Sequence, residues 1–310
     1  MAAHHYGGVV HFPWSLPVSP SALGLVQSVK IGMHDITMTL PVDIAGRISC
    51  PPDESDQPSL ATWRDQFEKK VDWGFRSSQE LCYIDSARVS LFLEAEDIAQ
   101  SKEFAALGRS FYQWFEVLRP WLAAWSGKLL HDTSPRNNAF HLATKDGTPA
   151  GSGIYMSAVS LSDQALSREQ ISAALSHASL GEHLPTEHRL ILAAQFALVE
   201  GDYRQSVIDS GTAAEVALAA AISDYLKDRG ASAEFADKVI LSANGVAGLV
   251  ALYESAVHAT PVSLRRIRNG LARIRNSAAH SGYTPTQAEA QQALQEANAL
   301  VQSARPLPQA

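Results

Sequence analysis

The stretch 263–282, SLRRIRNGLARIRNSAAHSG, gathers arginine, asparagine and histidine without a single carboxylate. Five arginines (Arg265, Arg266, Arg268, Arg273 and Arg275) fall within eleven residues of a chain whose formal net charge is −7. Guanidinium groups make planar, bidentate contacts to phosphate. An imidazole takes up and releases a proton near neutral pH. Arg266, Arg268, Arg273 and Arg275, with Asn269 and Asn276, are therefore suited to hold a nucleic acid, and His280 to move a proton beside it. Like charges at helical spacing destabilise an isolated helix by a few tenths of a kcal/mol per pair. A bound polyanion, or acids from elsewhere in the chain, would offset that cost.

A helix must carry these groups. Leu264, Ile267, Leu271, Ile274 and Ala278 recur at spacings of 3, 4, 3 and 4, which draws one apolar seam along a helix over 263–281. At about 100° per residue, Arg266, Asn269, Arg273, Asn276 and His280 face away from that seam, with Arg268 and Arg275 between. Helices are expected on either side, at 188–200, 202–227, 234–242, 246–256 and 286–304. Gly201, Gly230, Gly245 and Gly282 stand as stops. Thr286 with Glu289 three residues on reads as a capping box for the last helix. Residues 186–306 thus read as an all-α bundle, joined through a connector at 166–185 to an α+β domain over 1–165.

In that context Arg275–Asn276–Ser277–Ala278–Ala279–His280 resembles the motif of the HEPN superfamily: an arginine, four to six residues with a polar one often first, then a histidine. The final helix, Pro285–Val301, is similar to the one that closes such domains, and Asp202–Ala221, with Glu215 inside it, resembles the helix that packs on the motif helix. The resemblance covers roughly residues 186–304. It implies a homodimer whose motif helices face each other, and metal-independent RNA cleavage by attack of the ribose 2′-hydroxyl. It further implies His280 as acid or base, Arg275 on the phosphate, Asn276 as an orienting group, and Glu215 as an acid from an earlier helix. No cofactor follows from it. Arg273 also stands at an allowed spacing from His280; the asparagine after Arg275 favours Arg275. The family setting would be stress response, toxin–antitoxin pairing or antiviral defence, with an antitoxin or regulatory partner. The alternative within the same resemblance is a non-catalytic RNA-binding, dimerisation or assembly module, and a further one is an enzyme whose site lies in the first domain.

The remainder of the chain narrows these readings. Hydrophobic residues make up 46% and charged residues 18%, a balance of folded chains rather than disordered ones. Cys50 and Cys82 are too few for a disulfide framework and lack zinc-site spacing. No apolar run reaches the roughly 18 residues that would span a bilayer, so no membrane contact and a cytoplasmic location are expected. All six tryptophans lie within the first 125 residues, which suggests two cores of different material. Alternation predicts strands over 29–33, 36–42, 82–93 and 154–161. A stripe of Phe104, Phe111, Phe115, Leu118, Leu122 and Trp125 predicts a core helix over 102–125, kinked or divided by Pro120. The loop 131–152 is polar and turn-rich. His4, His5 and His11 read as a floppy start rather than a metal site. Asp132–Thr133–Ser134 has no second copy, and Gly151–Ser152–Gly153 precedes a strand, the wrong context for dinucleotide phosphates.

Overall fold

The computed structural model describes residues 4–51, 71–93, 102–127, 141–144, 149–152 and 164–308. They form two units, Met1–His183 and Leu184–Gln309, with Ala310 counted with the first. A strand-rich unit is followed by a helical one.

The first unit is built on an antiparallel sheet of β1 (His4–Val18), β2 (Val26–Ile31), β3 (His34–Thr39), β6 (Gly74–Arg76), β7 (Cys82–Leu93), β8 (His141–Thr144) and β9 (Pro149–Ser152). The order is β2-β3-β7-β1-β8-β9, with β6 pairing to β7. A separate pair joins β4 (Val42–Ile44) to β5 (Arg47–Ser49). β2 and β3 form a hairpin that turns at Gly32–Met33, with His34 and Asp35 opening β3. The strand expected at 82–93 is β7. That expected at 154–161 lies outside the described residues, as does Asp132–Thr133–Ser134.

Two expectations are overturned. The N-terminus is no floppy start. From His4 it runs as a fifteen-residue strand in the middle of the sheet, paired to β7 on one side and β8 on the other. Tyr6, Val9 and Val10 are all buried, so residues of both faces are covered and the usual alternation does not appear. The stretch 131–152, read as loop, contains β8 and β9. Helix α1 (Lys102–Ser126) runs on with Pro120 inside it and is not divided. Phe111, Phe115, Leu118, Leu122 and Trp125 of the apolar stripe are buried, with Trp114 and Trp121. Within the expected connector lies α2 (Arg168–Leu180), capped by a box formed by Ser167 and Gln170.

The second unit consists of α3 (Thr186–Val199), α4 (Tyr203–Asp228), α5 (Ala233–Ser242), α6 (Gly245–Ala256), α7 (Leu264–Asn269), α8 (Leu271–His280) and α9 (Gln287–Ala304). Ala213, Ala214, Ala217 and Leu218 of α4 are fully buried against Ile267, Leu271, Ile274, Ala290, Ala297 and Leu300. Small alanines let the helices approach closely, so α4 serves as the axis around which the unit packs. The capping box of Thr286 and Glu289 forms as its sequence predicts. Among the described residues no helix is long and apolar enough to cross a membrane.

The end of α9 is pinned to α3. Arg305 lies 3.6 Å from the buried Glu187 carboxylate and also pairs with Asp224. The buried His188 donates Nε2–H to the Arg305 carbonyl, 2.9 Å away. Burial pushes the His188 imidazole below its ordinary value, against the opposing pull of that hydrogen bond and of Glu187. The unfolded imidazole therefore binds a proton more readily than the folded one. This contribution is fully present above pH about 6.5 and is lost as pH falls from there through the folded value. Melting wild type and His188→Gln at pH 8 and pH 5 should show the gap between them shrinking at pH 5. A gap of constant size would show that His188 does not titrate this way.

Candidate functional site

The helix expected over 263–281 is two helices. The chain turns at Gly270 (φ −99, ψ −108), and α8 starts afresh at Leu271. Its cause lies in α9. The Glu296 carboxylate, 1% exposed, accepts hydrogen bonds from Leu271 N–H, Arg266 Nε and Gln292 Nε2, each at 2.9 Å. It thus satisfies a free amide at the start of α8, where the helix dipole also favours a negative charge. A Cβ at position 270 would sit 2.5 Å from one Glu296 oxygen, so glycine is required for that approach. The break separates the polar face expected to run unbroken from Arg266 to His280.

Each arginine then has its own setting. Arg266 belongs to the Glu296 carboxylate. Arg273 turns toward Glu289 at 3.8 Å and donates Nε–H to the Asn269 carbonyl at 3.0 Å. Arg275 donates from Nη2 to Glu215 of α4 at 3.1 Å and from Nη1 to the Asn276 amide oxygen at 3.4 Å. Three of the five cations are thus balanced by acids from α4 and α9. Arg265 and Arg268 are exposed, carry no ion pair among the described residues, and share an outward face with Asn269.

Arg275 lies in a notch. A Cβ on Gly211 of α4 would fall 2.6 Å from Arg275 Cγ and 3.3 Å from its Cβ, so the arginine stem crosses α4 where no side chain stands. The route leads it to Glu215, one helical turn further along α4. Its Nε is buried and has no hydrogen-bond partner. Buried donors are rarely left so, and those that are call for an explanation. The far end of α8 is held by Arg204, whose Nε donates to the Ala278 carbonyl at 2.9 Å.

Arg275, Asn276 and His280 open on one cavity of about 570 Å³. Its first wall is α8 with Ser281, and Ala272 lies in its floor. Its second wall is the start of α6, residues 244–247. His280 is exposed and Arg275 half-buried. Rotation alone puts Arg275 about 140° from His280, yet both border the cavity because the long arginine bends through the notch. Arg273 and Arg266 do not line it. Glu215 holds Arg275 from behind. Asn276 gives its amide oxygen to Arg275, where it was expected to orient the imidazole or a phosphate oxygen. Among the described residues no three His, Cys, Asp or Glu side chains gather as metal ligands do.

The chain matches no family model, no curated protein and no solved structure. Sequence reasoning overlooked three residues that shape the cavity. Gly211 and Glu296 act through contacts distant in sequence and left no local signal. Asn244 did leave one, as a polar cap-type residue just before the glycine that opens α6.

Proposed function

We propose that the helical unit is a HEPN-type, metal-independent endoribonuclease site, and that the cavity joining Arg275, Asn276 and His280 is where the RNA backbone is cut. The observation that carries this reading is that a half-buried arginine, an amide and an exposed imidazole border one open cavity. The resemblance of Arg275–His280 to the family motif supplies the reaction. The ribose 2′ oxygen forms a bond to phosphorus, and the bond from phosphorus to the 5′ oxygen breaks. A 2′,3′-cyclic phosphate and a 5′-hydroxyl result. His280 moves the proton at one of these two oxygens. Arg275 binds the phosphate and offsets the charge that develops on it. Glu215 and the Gly211 notch hold the guanidinium so that little reorganisation is needed. In a homodimer with facing α8 helices, two imidazoles serve both oxygens. The strand-rich unit would receive a trigger, an antitoxin or another regulatory partner, in a cytoplasmic setting of stress response or antiviral defence.

The test is incubation of the full-length protein with total RNA in EDTA, comparing wild type with His280→Ala and Arg275→Ala and identifying the ends of the products. The Arg275–Glu215 ion pair favours a second reading, a non-catalytic RNA-binding or assembly module in which that arginine is structural. RNA retained but left uncut by all three proteins would establish it.

The two unpaired cations allow a separate expectation. A phosphate held by a cation releases counterions, so log K falls with log salt by about 0.7 per contact on a single strand. Arg265→Ala with Arg268→Ala should lower the salt slope of RNA binding by about 1 to 1.5, while Arg266→Ala, already occupied by Glu296, should leave it unchanged. Equal slopes for all three proteins would remove Arg265 and Arg268 from the interface.

A further inference from the structure

The start of α6 also borders the cavity. Asn244 precedes α6, where an asparagine ordinarily turns its side chain onto the first amides of the helix. Here it makes no such hydrogen bond; the residue is exposed and lines the cavity. Next to it Ala247 is partly exposed, while Val246 and Ala272, 3% and 9% exposed, are largely covered. A neutral amide carries one acceptor and two donors. Such a group can donate to a phosphate oxygen, and it also matches the paired donors and acceptors on the edge of a nucleobase. Asparagine reads such edges through two hydrogen bonds, and RNA-binding proteins read unstacked bases this way, with the flat face against a side-chain surface. A volume of about 570 Å³ lies within the range of small-molecule pockets, about 300–1,000 Å³.

We infer that the cavity holds a whole nucleotide, its phosphate at Arg275, its base beside Ala247, and its base edge read by the Asn244 amide. Asn244 is then the residue that sets which nucleotide the cavity accepts. This rests on the reading above only in taking Arg275 as the phosphate anchor.

The experiment is equilibrium binding of the four nucleoside 3′-monophosphates to the full-length protein, followed by calorimetry and by the imidazole NMR signals. A bidentate base contact discriminates by about 5- to 100-fold. Wild type should therefore bind one or two of the four at least about 5-fold more tightly than the rest. Asn244→Ala should flatten that preference to within about twofold, and Asn244→Asp, which can only accept, should move it toward a base that donates. Both variants should melt with wild type, because the side chain caps nothing. Arg275→Ala should weaken all four nucleotides alike. Equal binding of the four by wild type, a preference that survives Asn244→Ala, or no binding at millimolar nucleotide would each overturn the inference. Cleavage of RNA without any nucleotide preference would overturn it and leave the nuclease reading standing. Selective nucleotide binding by a protein that never cuts RNA would do the reverse.

Discussion

His280→Ala should slow RNA cleavage by about 10²–10⁴-fold, the contribution of a positioned acid or base, and leave the melting temperature close to that of wild type. The side chain is exposed at the cavity rim, so its removal opens no core cavity. Arg275→Ala should cost about 10²–10³-fold, the range for one donor aimed at developing charge. It should cost stability as well, since Glu215 would lose its partner while half-buried. The two variants therefore differ in kind: one removes chemistry alone, the other chemistry and structure together. Arg275→Lys should recover much of the stability and little of the rate, because an ammonium cannot bridge Glu215, Asn276 and a phosphate at once. Single-turnover cleavage of a short RNA, with excess protein and EDTA, measures the chemical step directly. A His280→Ala protein that cuts at the wild-type rate would place the reaction outside this cavity.

Glu296→Ala should destabilise the helical unit by about 2–4 kcal/mol. The Leu271 amide would be left buried without a partner, a cost of about 1–3 kcal/mol, and a carboxylate at a helix start would be lost. Arg266 adds little to this figure, since more than half of its side chain is in solvent. For a unit of this size each kcal/mol moves the midpoint by roughly 3–5 °C, so calorimetry should show a fall of about 10 °C. Glu296→Gln keeps an oxygen for Leu271 and should lose roughly half as much. Activity should fall with Glu296→Ala even well below the new midpoint, because α8 would no longer be fixed at its start and Arg275 and His280 ride on α8. A melting temperature within a degree or two of wild type would show that the break at Gly270 is held by something other than this carboxylate.

The helical unit was readable in outline because its signals are local. Asp202 and Thr286 cap the helices they precede, and Leu271, Ile274 and Ala278 bury the seam that their spacing predicts. The break at Gly270 was not readable. A lone glycine within an apolar repeat costs only about 1 kcal/mol against alanine, and what opens the chain there is a carboxylate 26 positions later (296 − 270). The same holds for the site. The residue types at 275, 276 and 280 were legible, whereas the partner of each arginine depends on which acid packing brings to it. In the first unit β7 was legible from its alternation. β1 was not, because a strand covered on both faces shows no period of two, and β8 and β9 are four residues each.

In the Gly211 notch a methyl group would stand where the Arg275 stem passes, and alanine is a better helix former than glycine. Under the proposed activity, Gly211→Ala should therefore give abundant, folded protein that does not cut RNA. A single methyl group at position 211 would then part the fold from the proposed chemistry.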